Sequence, residues 1–61
     1  MPLITVKLLE GRLTEDTERT LIERLTEAVG AALGPDAREQ TWVVLEGIPA
    51  SHWGIAGRQA G

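Results

Sequence analysis

Polar and apolar positions along this chain change period twice. From Leu3 to Leu9 they alternate, with Ile4, Val6 and Leu8 on one face and Leu3, Thr5, Lys7 and Leu9 on the other. Alternation of this kind predicts a strand. Both faces are mostly apolar, so the strand is expected to be covered on two sides, as parallel or central strands are. Glu10-Gly11-Arg12 breaks the pattern, and from Thr14 to Leu33 the spacing is helical. Leu21, Ile22, Leu25, Ala28, Val29, Ala32 and Leu33 form the apolar side, and Arg19, Glu23, Arg24 and Glu27 the outer one. Thr14 is placed to cap the helix, with Glu15, Asp16 and Glu18 at the positive end of its dipole. Glu15–Arg19 and Arg19–Glu23 have the spacing of helical ion pairs. Gly34-Pro35-Asp36 supplies the stop.

A second strand is expected over Thr41 to Leu45, closed by Gly47 and Pro49. The tail, Trp53-Gly54-Ile55-Ala56-Gly57, is too rich in glycine for a core strand and suits a short hairpin packed against a neighbour. Strand, long helix and strand make an α/β chain, a single β-α-β unit with a short C-terminal hairpin and a right-handed crossover. Residues 1–61 read as one domain, with no repeat, linker or low-complexity tract. One such unit leaves two open strand edges, and edges of this kind pair with another copy.

Size sharpens that expectation. A chain of 61 residues folding alone buries only about 60% of its unfolded surface. There is no Cys to staple it, and a lone His without clustered carboxylates disfavours a structural metal. Yet 43% of the residues are hydrophobic, and self-association is the remaining way to bury them. The net charge is −3, with six basic residues scattered among nine acidic ones. That disfavours nucleic acid, whose binding depends on neutralising phosphates. No apolar run approaches membrane-spanning length, and no basic-then-apolar leader is present. A cytoplasmic location is expected.

Candidate chemistry begins at Pro2. Removal of Met1, usual before a small residue, would leave Pro2 as a secondary amine at the start of a strand. The other two prolines are amides and cannot act as bases. Apolar surroundings and a nearby cation both lower an amine pKa, and a base poised near the working pH is the most effective. Taken alone, Pro2 is simply a common second residue. Likewise Arg12 alone is a solvated turn residue, and Trp42 and Trp53 alone are packing residues.

Read together, the residues say more. Pro2-Leu3-Ile4, Leu8-Leu9-Glu10-Gly11-Arg12, Leu21-Ile22 and Glu27-Ala28 on the helix, Glu46, and His52-Trp53-Gly54-Ile55-Ala56-Gly57 resemble the 4-oxalocrotonate tautomerase family over essentially the whole chain. The spacing matches apart from single-residue insertions. The resemblance implies β-α-β subunits whose dimers form four-stranded sheets and commonly assemble into hexamers, as trimers of dimers. It implies an isomerase that needs no cofactor and no metal and acts on a small carboxylate substrate. Pro2 matches the family's proton-shuttling base. Arg12 matches the arginine that holds a substrate carboxylate, a role suited to its planar charged fork. Trp53 stands where the family has an aromatic residue, usually Phe, that keeps the pocket apolar. Thr41 stands where the family usually has a second arginine, contributed by a neighbouring subunit. Thr41 therefore marks a departure that bears on substrate choice, and Arg38 and Arg58 are the cations that could replace the missing one. His52 is expected in a loop beside Trp53, without a catalytic part.

Two other readings stay open at this stage. One is a non-catalytic or partly catalytic subunit of a hetero-oligomer of the same fold, with Thr41 marking a lapsed site. The other is a small strand–helix DNA-binding dimer, against which the acidic balance and the single long helix both weigh.

Overall fold

The alternation at the amino terminus forms strand β1, Leu3–Leu9, in which Ile4, Val6 and Leu8 are half-buried and the intervening residues are exposed. The structure is a computed structural model that describes residues 1–60. β1 pairs in parallel with β2, Trp42–Ile48, in a register running from Leu3 opposite Trp42 to Leu9 opposite Ile48. Between them lies α1, Glu15–Leu33. Its half-buried side chains Leu21, Leu25 and Val29 recur every fourth residue, the spacing of one helical stripe. A tail hairpin of β3, Gly54–Ile55, and β4, Arg58–Gln59, pairs antiparallel. Its turn has positive φ at both central residues, Ala56 at 53° and Gly57 at 81°, the type I′ geometry that suits the twist of a hairpin. The chain is thus an α/β unit of β-α-β form with a short C-terminal hairpin.

The helix start follows from its sequence. Thr14 accepts a hydrogen bond from the Thr17 N–H, and the Thr17 hydroxyl accepts one from the Thr14 N–H at 2.7 Å. This reciprocal arrangement satisfies two donors that a helix start otherwise leaves unpaired. At the other end Gly34 takes φ +99° and its N–H reaches the Gly30 carbonyl at 2.9 Å. Pro35, with its fixed φ, then opens a second helix, α2, Pro35–Glu39.

Several expectations are corrected. The second strand begins at Trp42 and runs to Ile48, so it excludes Thr41 and includes Gly47. Its length is set by pairing with the seven residues of β1, which overrides the breaking tendency of glycine. α2 occupies a stretch expected only to end α1. Arg19 pairs with Asp16, at 3.2 Å, rather than with Glu15 or Glu23, and both partners are so exposed that the pair contributes little. Ile22 and Leu33, expected on the covered side of α1, are 42% and 67% exposed.

Those exposures are part of a wider pattern. No side chain among the described residues is fully buried. Leu3, Leu9, Trp42 and Val44 stand exposed on the sheet face turned away from the half-buried residues. The accessible surface is 4793 Å², against about 3,900 Å² for a compact monomer of this mass. The radius of gyration is 14.3 Å, where about 10.5 Å is typical of a compact domain of this length.

Candidate functional site

The two ends of the sheet carry different groups. At the amino-terminal end Pro2 is half-buried, and its carbonyl accepts the Trp42 N–H at 2.9 Å. That bond continues the ladder one step before the first strand pair. It also places Thr41 beside Pro2 in the parallel register. Thr41 is half-buried, its hydroxyl donating to the Ala37 carbonyl at 2.7 Å and its N–H to the Arg38 carbonyl at 3.2 Å. The Trp42 indole N–H donates to the Met1 sulfur at 3.2 Å. While Met1 is attached, the Pro2 nitrogen is a tertiary amide with no basic lone pair.

At the carboxyl-terminal end, Glu10–Arg12 forms one turn of 3-10 helix directly after β1, closed by the Leu13 N–H on the Glu10 carbonyl at 3.1 Å. Arg12 is exposed in this turn. A second 3-10 turn, Ala50–His52, follows β2 and delivers Trp53 to the same end of the sheet. The Trp53 indole N–H reaches the Ile48 carbonyl at 3.4 Å. The Trp53 carbonyl accepts the Ala60 N–H at 2.8 Å, which ties the end of the tail hairpin to it. Leu9, Trp53 and Ala60 line an open cavity of about 320 Å³ whose walls are almost wholly apolar. His52, expected in a loop, closes the 3-10 turn just before Trp53 and is exposed.

Within one chain these residues fall into two groups that do not meet. Pro2 and Thr41 share one end, Arg12 and Trp53 the other. The seven residues of β1, at ~3.3 Å each, put on the order of 20 Å between the groups. One chain therefore carries the four candidates as two separate groups at opposite ends of the sheet.

Of the alternative cations, Arg38 is paired and Arg58 stands on the tail hairpin. The Arg38 stem crosses Gly30, passing 3.1 Å from where a Cβ on that glycine would stand, and its guanidinium pairs with Glu39 at 3.1 Å. Arg58 lies in β4 opposite Ile55, on the hairpin. Among the described residues no group of His, Asp and Glu is placed to hold a metal ion, and no helix is long and apolar enough to cross a membrane.

Two features escaped the reading of the residues. The bond from the Thr41 hydroxyl to the Ala37 carbonyl carries no signal in the sequence, because it depends on the turn of α2, which the residues did not announce. A glycine inside a strand, here Gly47, signals close approach of another backbone segment.

Comparison with known proteins gives a consistent picture. The family model described as "Tautomerase enzyme" matches residues 2–61. The chain is 49% identical over 57 residues to "Probable tautomerase RSp0893" of Ralstonia nicotianae, spanning 93% of this chain and 79% of that protein. It is 41% identical over 59 residues to the 2-hydroxymuconate tautomerase of Bacillus subtilis, spanning 97% and 92%. Among solved structures it resembles YwhB, a homologue of 4-oxalocrotonate tautomerase, with a TM-score of 0.85 and 37% identity over 97% of this chain and 93% of that one.

Proposed function

The chain belongs to the tautomerase family, and from that premise we propose that Pro2, freed by loss of Met1, is the base of a cofactor-independent isomerase acting on a small enol or α-keto carboxylic acid. Tautomerase activity itself follows from the family. The observation that carries the finer reading is the division of one chain into two half-sites at opposite ends of β1.

Among the described residues β1 has one edge filled by β2 and one edge open. Antiparallel pairing of two open β1 edges gives a four-stranded sheet. It also sets the start of one β1 beside the end of the other, which brings Pro2 of one copy to Arg12 and Trp53 of the second. The exposed apolar face of that sheet then needs further cover, which a trimer of such dimers provides. We read residues 1–61 as the single unit of this assembly, acting in the cytoplasm without nucleic acid or membrane.

The chemistry follows from these groups. The free Pro2 amine takes a proton from one position of the conjugated acid and returns it to another carbon, so the reaction is balanced without a co-reactant. The Arg12 guanidinium holds the carboxylate through paired charge-assisted hydrogen bonds and draws electron density toward it as the proton leaves. Trp53 and the apolar cavity keep water out, which strengthens both effects. Thr41 of a neighbouring copy, standing where the family usually has an arginine, leaves that side of the site neutral.

The test is the rate at which the Met-free protein ketonises 2-hydroxymuconate and phenylenolpyruvate. Acceleration over buffer is expected, rising with pH as the amine loses its proton. No acceleration of either enol overturns the proposal.

A further inference from the structure

We infer that Gly47 and Thr17 are positioning residues for Arg12, holding the turn that carries it from two sides; the inference rests on Arg12 binding the substrate carboxylate. Arg12 has no regular element to fix it, for it sits in a single 3-10 turn between β1 and α1. A guanidinium that grips a carboxylate through two parallel bonds needs its base held in place.

The first support is the absence of a side chain. Gly47 lies inside β2, opposite Leu8, where glycine weakens a strand and so calls for a reason. A Cβ at this position would stand 3.0 Å from Leu13 Cδ1 and 3.1 Å from both Cα and Cβ of Glu10. Leu13 could rotate, but the Glu10 backbone could yield only by moving the turn. Gly47 thus lets the Glu10–Arg12 turn seat directly on the strand.

The second support is a hydrogen bond. The Thr17 hydroxyl lies 3.0 Å from the Arg12 carbonyl and 3.3 Å from the Thr14 carbonyl. The Thr14 carbonyl already accepts the Glu18 N–H at 2.9 Å. The hydroxyl has one proton, and the Arg12 carbonyl is its shortest acceptor, ahead of the Thr14 hydroxyl at 3.2 Å and the Thr14 carbonyl, so this bond ties the Arg12 backbone to the first turn of α1.

The decisive experiment is a double-mutant cycle on the Met-free protein, read as kcat and KM for a monocarboxylic enol. Gly47→Ala should displace the turn by a few tenths of an ångström. It should lower kcat/KM by about three- to tenfold, mainly through KM. The ascending limb of the pH profile should move little, because a displacement of a few tenths of an ångström leaves the Arg12 charge near the Pro2 amine of the neighbouring copy. Thr17→Val should act in the same direction, and Thr17→Ser should restore wild-type values. In an Arg12→Ala background Gly47→Ala should add nothing, since its effect passes through the missing side chain. If Arg12→Ala is harmful and the Gly47→Ala loss multiplies with it, the turn is not positioned in this way. If Arg12→Ala is itself without effect, the carboxylate-binding role fails and this inference fails with it.

Discussion

At position 41 the threonine hydroxyl is already committed, because it donates to the Ala37 carbonyl at 2.7 Å. Toward a substrate it presents lone pairs and a methyl group, and neither attracts a carboxylate. A charge-assisted hydrogen bond to arginine contributes roughly 1.5–3 kcal/mol. Lacking one should lower selectivity for a diacid about ten- to a hundredfold. The wild-type protein is therefore expected to favour monocarboxylic enols. Thr41→Arg should raise kcat/KM for 2-hydroxymuconate by about tenfold or more and leave phenylenolpyruvate almost unchanged, in paired steady-state assays. No gain for the diacid would mean that another cation meets its far carboxylate. Arg38 is the weaker candidate for that role, with its stem across Gly30 and its guanidinium on Glu39.

Among the elements, α1 is held by its cap. Thr14→Ala removes the acceptor for the Thr17 N–H and half of the reciprocal pair, a loss of about 1 kcal/mol. In a chain of this size that corresponds to a drop of roughly 4–8 °C in the melting temperature, measured by thermal unfolding at fixed protomer concentration. A variant that melts with the wild type would show that packing alone holds the helix start. This helix was readable from the sequence because its period, cap and stop agree over nineteen residues. β1 was readable for the same reason. β2 was less so. Its ends follow from pairing with a strand far away in the chain, and Gly47 looks like a stop when its partner Leu8 is not in view. α2 was hidden because five residues are too few to show a period. Arg19 has acids at both three- and four-residue spacing, and only side-chain geometry selects Asp16. Of the site, Pro2, Arg12 and Trp53 could be picked out by resemblance. Their separation along one strand became plain only with the register.

The whole molecule has more surface than a compact monomer of its mass. Its exposed Leu3, Trp42 and Val44 share the open face of the sheet, and Leu33 and Ile55 are exposed elsewhere, apolar surface of the kind that partner copies cover. If sites form between copies, two damaged chains can repair each other. Arg12→Ala retains Pro2, and a chain that keeps Met1 retains Arg12. Mixed and reassembled, they should regain sites that pair an intact Pro2 with an intact Arg12. Random mixing of equal amounts should restore activity well above that of either parent. Activity that merely averages the two parents would place Pro2 and Arg12 of one chain in one site, in conflict with the length of β1 between them.

The proposal that the Pro2 amine transfers the proton is tested most directly by comparing two forms of one protein. One is trimmed, with Pro2 first by intact mass, and the other retains Met1. Both are assayed for enol ketonisation across pH at matched assembly state. The trimmed form should be active, with a rate that rises with pH to a plateau, and the Met1-retaining form should approach the buffer rate. Equal rates for the two forms would show that the base lies elsewhere.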